Sequence, residues 1–107
     1  MATDEPWYAV RSVVESAAGG TFEERITLWK AASMEDALIK GENEARRYAA
    51  EHGYLFTGFI EVFHLAAEHV VEGTEIFSLL RDSELPASEY ISKHFDTGKE
   101  RRRRSAV

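Results

Sequence analysis

Two runs of alternating apolar and polar residues open the chain. In residues 7–15, Tyr8, Val10, Ser12 and Val14 share one face, and Trp7, Ala9, Arg11, Val13 and Glu15 share the other. In residues 22–30, Phe22, Ile26 and Leu28 fall opposite Glu23, Arg25, Thr27 and Trp29. A period of two held over eight or nine positions predicts a pair of strands. The glycines between them, Gly19 and Gly20, predict a hairpin. If the even-numbered apolar residues of both strands cover one core, paired residue numbers must add to an even number, because a one-residue slip turns a strand over. A three-residue loop of Ala18, Gly19 and Gly20 meets that condition. It pairs Val10 with Leu28 and Ser12 with Ile26, and it sets Gly20 in the left-handed conformation that ends such loops.

After the second strand the period lengthens. Ser33 is placed to cap a helix, with Asp36 three residues on. Met34, Ala37, Leu38, Gly41, Ala45, Tyr48 and Ala49 then form one helical stripe that Gly53 closes. Glu42 with Arg46 and Glu44 with Arg47 are spaced to support its solvent side. Gly41 sits inside the apolar stripe, where glycine is less favourable than alanine by about 1 kcal/mol, which predicts a close approach of helix to sheet. Residues 54–66 read as a long strand with Tyr54, Phe56, Ile60 and Val62 on one face and Leu55, Phe59, Phe63 and Leu65 on the other. A strand apolar on both sides is central or covered by a partner. Gly58 interrupts it at a bulge or a bend. Residues 74–81 read as a fourth strand, and Pro86 opens a short helix with Tyr90, Ile91, His94 and Phe95 as its inner face. The predicted fold is α+β, in the order β-β-α-β-β-α, a four-stranded antiparallel sheet with one long helix packed on one face. It occupies residues 1–98 as a single domain, and residues 99–107 read as a basic disordered tail.

Composition narrows the class. A chain of 107 residues supports one core that buries roughly two-thirds of the unfolded surface. Its 44% apolar and 30% charged residues suit a globular chain and are too apolar for a disordered one. There is no Cys, which excludes disulfides, thiolate metal sites, iron–sulfur clusters and cysteine nucleophiles. The acidic, polar start lacks the pattern of a signal peptide, and no apolar run approaches the ~20 residues of a membrane span. A cytoplasmic protein with no membrane association is expected. The net charge of −6 is unevenly spread: residues 99–107 carry +4, which leaves −10 on residues 1–98. An acidic body repels nucleic acid, so nucleic acid is expected to bind only weakly, through the tail.

Several segments together resemble an uncharacterised bacterial family of small single-domain proteins, a domain of unknown function. They are Trp7-Tyr8-Ala9-Val10-Arg11 with Glu15, then Phe22-Glu23-Glu24-Arg25-Ile26-Thr27-Leu28-Trp29, then Ile76-Phe77-Ser78-Leu79, then Tyr90 to Phe95 with Asp96-Thr97-Gly98. The resemblance implies a single-domain bacterial protein and brings no activity with it.

Candidate chemistry is sparse. His64 and His69 lie five apart around a strand end, while His52 and His94 end the two helices, so no pair has the i,i+4 spacing of a zinc site. No metal or other cofactor is expected. Glu23, Glu24, Glu61 and Glu75 could serve as acid or base, but strand carboxylates are mostly solvated and Glu61 is better read as edge-facing or partner-paired. Gly19-Gly20 does not open a helix and so is no phosphate loop. The strongest functional signal is aromatic and cationic. Trp7, Arg11, Arg25 and Trp29 are expected to project together from the side of the sheet away from the helix, with Phe59, Glu61 and Phe63 beside them. Trp and Arg are the types most enriched at interface hot spots. These seven residues form the candidate interaction surface. The chain reads as a non-enzymatic protein-interaction module, a homodimer or an accessory subunit. The alternatives are an immunity- or antitoxin-like inhibitor of a partner protein and an oligomer enclosing a small ligand.

Overall fold

A computed structural model describes residues 5–101. Its elements are β1 (Trp7–Ser16), β2 (Phe22–Lys30), α1 (Met34–His52), β3 (Tyr54–His64) and α2 (Ala87–His94). β1 is the central strand, antiparallel to β2 on one side and to β3 on the other. β2 and β3 therefore run parallel, joined by α1 across β1, in a split β-α-β arrangement. The α+β class holds, with three strands among the described residues rather than four.

The hairpin register differs from the one predicted. Val10 lies opposite Thr27, not Leu28, and Ser12 opposite Arg25, not Ile26. Ser16 N–H donates to the Thr21 carbonyl at 2.7 Å and Gly19 N–H to the Ser16 carbonyl at 2.8 Å. The loop thus contains four residues, 17–20, and the extra one turns β2 over relative to β1. Gly20 does take a positive φ, 87°, as does Gly19 at 85°. The even residues of β1 consequently share their face with Glu23, Arg25, Thr27 and Trp29. Phe22, Ile26 and Leu28 lie on the opposite face, away from the core predicted for them.

α1 begins and ends where its caps place it. Ser33 Oγ accepts from Asp36 N–H at 3.1 Å, and Gly53, at φ 75°, donates its N–H to the Ala49 carbonyl. The buried stripe is Ala37, Gly41, Ala45 and Ala49, all small, so the helix sits low on the sheet. A Cβ at Gly41 would stand 2.4 Å from Val10 Cγ1, which accounts for the glycine. The core beneath consists of Tyr8, Val10, Ala31 and Ala37, with Trp29, Ile60 and Val62 packed against them. Burying one such aliphatic side chain contributes about 1.5–3 kcal/mol.

β3 carries the bulge anticipated at Gly58. Ser12 pairs with Ile60 and Val14 with Phe56, so residues 57–59 all oppose Val13. Gly58 takes φ 91°, and Thr57 Oγ1 donates to the Val13 carbonyl at 2.8 Å. The insertion is even in number, so the two apolar faces of β3 survive it. Tyr54, Phe56, Ile60 and Val62 face α1, and Leu55, Phe59 and Phe63 face away.

Residues 74–81 form no strand. A turn with Thr74 N–H donating to the Val71 carbonyl and Val71 N–H to Thr74 Oγ1 sends the segment across the sheet face instead of along an edge. Phe77 lands there half-buried, with Ile76 beside it half-buried too, while Leu79 and Leu80 remain exposed. α2 forms, with Pro86 as its N-cap, yet none of its residues is buried. Its predicted inner face packs locally: Tyr90 lies on His94 with ring centroids 4.5 Å apart and accepts from Arg81 at 2.9 Å, and α2 touches none of the other described helices and strands.

Candidate interaction surface

Among the described residues no helix lies over the side of the sheet away from α1. Reading across β2, β1 and β3, it presents Phe22–Glu15–Leu55 at the loop end, Ile26–Arg11–Glu61 in the middle and Leu28–Ala9–Phe63 beyond. Arg11 stands at the centre. Its guanidinium lies 3.4 Å from Glu24 Oε1 and 3.8 Å from Glu61 Oε1, and its Cζ lies 5.5 Å from the Phe77 ring centroid. Phe63 meets the same Phe77 ring edge-on at 5.6 Å. The Arg11 side chain is 30% exposed, so each ion pair is partly screened and contributes only about 0.2–1 kcal/mol. What the arrangement does is orient a planar cation in an apolar surround. Ile26 (43% exposed) lies directly across from it, and Phe22 (58%), Leu55 (58%) and Phe59 (45%) lie on the same face toward the hairpin loop.

Five of the seven predicted surface residues lie on this face: Trp7, Arg11, Phe59, Glu61 and Phe63. Trp7 sits beside Lys30, whose Nζ is 5.3 Å from its ring centroid. Glu61 is paired with Arg11, as the reading of a partnered carboxylate required. Arg25 and Trp29 lie on the opposite face, a direct result of the four-residue loop. Trp29 packs on the core and donates its Nε1–H to Thr27 Oγ1 at 2.7 Å.

Arg25 instead ties β2 to α1. It makes two parallel bonds to Glu44, 2.9 and 2.8 Å long, and its Cζ lies 3.6 Å from the Tyr48 ring centroid. Tyr48 donates its hydroxyl to Glu23 Oε1 at 2.7 Å and stacks on Tyr54 and His52. The Glu44 hydrogen bonds raise the Arg25 pKa further above its ordinary value. The bond to Glu23 holds the Tyr48 phenol protonated, raising its pKa. Glu44 is thus engaged across the domain and does not pair with Arg47, whose neighbour is Glu51 at 4.0 Å. The four side chains form a structural latch between β2 and α1.

The residues missed by sequence reasoning are Glu24, Phe22, Ile26, Leu55 and Phe77. Glu24, Phe22 and Ile26 follow from loop length alone, and Leu55 lies on the face of β3 already expected for it. A signal for the last was the aromatic flanked by Ile76 in a segment whose later residues, Leu79 and Leu80, break the alternation of a strand.

Two shallow clefts lie near His64, of about 390 and 290 Å³. The larger is lined by Glu5, Pro6, His64, Leu65, Glu68 and His69, among others. Among the described residues no three His, Asp or Glu side chains converge as a metal would need, and no helix is long and apolar enough to cross a membrane. Compared with known protein families, curated proteins and solved structures, the chain matches none.

Proposed function

We propose that this chain is a non-enzymatic protein-interaction domain that acts through the open face of its sheet and self-associates there. The observation that carries the reading is the set of exposed Phe22, Ile26, Leu55 and Phe59 on the same sheet face as the ion-paired Arg11. Together these four side chains expose about 400 Å² of apolar surface, the size of the largest patch on an ordinary monomer, which is often functional. An Arg held between carboxylates, with aromatic residues beside it, is the composition of a hot spot.

Light scattering coupled to gel filtration tests the proposal. A homodimer gives about 24 kDa, twice the 12.1 kDa chain. Ile26→Glu places an unpaired charge in the patch and returns the mass to the monomer value. A wild-type mass of 12.1 kDa at all concentrations up to ~100 µM, well above the dissociation constant of ordinary interfaces, refutes self-association.

A further inference from the structure

We infer that the open face is closed by a second copy of this chain, with residues 79–94 of each copy lying against the partner's sheet. The inference rests on the open face being the interaction surface, and it names what occupies that face.

Three observations point to this occupant. The chain carries a second uncovered apolar element besides the sheet. Leu79 (56% exposed), Leu80 (97%), Leu85 and Ile91 belong to the arm that leads into and through α2, and α2 packs against none of the other described helices and strands. These four side chains expose about 400 Å², matching the sheet patch, so two copies with both arms docked would bury about 1,600 Å², the size of a standard interface.

The second observation is position. Phe77 lies on the open face beside Arg11 and Phe63, so the arm departs from that face itself. At its far end Arg101 donates to Thr21 Oγ1 at 3.2 Å, near the hairpin loop. The arm is therefore held at both ends and stands off the sheet between them. A two-fold partner presents an identical arm and an identical face, so one contact satisfies both exposed elements twice.

Charge is the third. The open face carries Glu15, Glu24 and Glu61, and residues 1–98 sum to −10, while residues 99–107 that follow the arm carry +4. The arm itself, residues 79–94, sums to −1, so any attraction to another copy's acidic face comes from the basic segment that follows it.

Disulfide trapping tests the crossing, and a chain with no native Cys gives it a clean background. Ile26→Cys in one population and Ile91→Cys in a second, tagged population are mixed, equilibrated and oxidised. Both positions are exposed, so folding is preserved and is checked by circular dichroism. The expected result is a mixed covalent dimer at least about tenfold above the dimer from either variant alone, with removal of residues 79–107 weakening association at least about tenfold, the loss of a hot-spot contact. Three results overturn the inference. If the truncated chain remains a dimer and no mixed species forms, the face still self-associates but the arm does not cross. A disulfide formed only within a single chain carrying both cysteines shows the arm closing on its own sheet. A wild-type monomer removes both this inference and the self-association it rests on.

Discussion

Gly41→Ala probes the seat of α1 on the sheet, and two effects of opposite sign compete in it. An alanine inside a helix is favoured over glycine by about 1 kcal/mol, so a helix with room beneath it would be stabilised. Here the added methyl would stand 2.4 Å from Val10 Cγ1, 2.7 Å from its Cβ and 2.9 Å from its Cγ2. Carbon atoms rest at about 3.5–4.0 Å, so more than an ångström must be recovered. Val10 cannot swing away, because its Cβ is fixed to the central strand and it is 1% exposed. The helix must lift instead, loosening Ala37 and Ala45 along the same stripe. Overpacking of this kind costs about 1–3 kcal/mol, and with a cost near the top of that range the net loss is about 1–2 kcal/mol. Urea denaturation followed by Trp fluorescence, at fixed protein concentration, measures it. Val10→Ala should recover part of the loss in the double variant, since it removes the two methyl groups in conflict. A Gly41→Ala protein more stable than wild type would refute the close approach.

Tyr48→Phe should cost about 1 kcal/mol near neutral pH through loss of the bond to Glu23. Because folding raises the Tyr48 pKa, its contribution is fully present below pH ~10, the ordinary tyrosine value, and is lost as pH rises through the raised value. The variant's stability should therefore fall less than wild type's above that pH, and parallel declines in chemical denaturation would sink the assignment. Deleting residues 99–107 removes the exposed Arg101–Thr21 bond and four consecutive arginines but no large apolar side chain before Val107. At 0.5 M salt, where screening acts within ~4 Å, the melting temperature should stay within about 2 °C of wild type. At low salt the deletion should weaken self-association, and a drop of several degrees at high salt would show the tail to be part of the fold.

Local signals were legible in this sequence where one residue settles one backbone choice. Ser33 and Gly53 bounded α1, Gly41 announced the close approach, and Gly58 announced the bulge. The hairpin failed because its register was inferred from apolar side chains alone. β2 turns Glu23, Arg25, Thr27 and Trp29 toward α1, and each polar group there finds a partner: Tyr48, Glu44 or a neighbour in the strand. A helix stripe of alanine and glycine is too narrow to cover Phe22, Ile26 and Leu28 as well. Its flanking Glu44 and Tyr48 were the signal that a polar strand face could lie beside it. That single inversion carried Arg25 and Trp29 off the predicted surface and brought Phe22 and Ile26 onto it. The supposed fourth strand failed for a different reason. Its alternation could not show that a turn at residues 71–74 would lead the chain away from both sheet edges.

The place of β1 at the centre of the sheet has a kinetic consequence. Its two neighbours reach it over very different stretches of chain, β2 through a four-residue loop and β3 from a position roughly 40 to 55 residues away. Closing the longer loop costs roughly 1.5–2 kcal/mol more in chain entropy than closing the hairpin. The hairpin thus forms early, and the docking of β3, with α1 drawn over the top, is the slow event. Substitutions at Val10 or in the 17–20 loop should then slow folding itself, whereas those at Phe56 or Ile60 should leave the folding limb of a chevron plot nearly unchanged and steepen the loss of the native state.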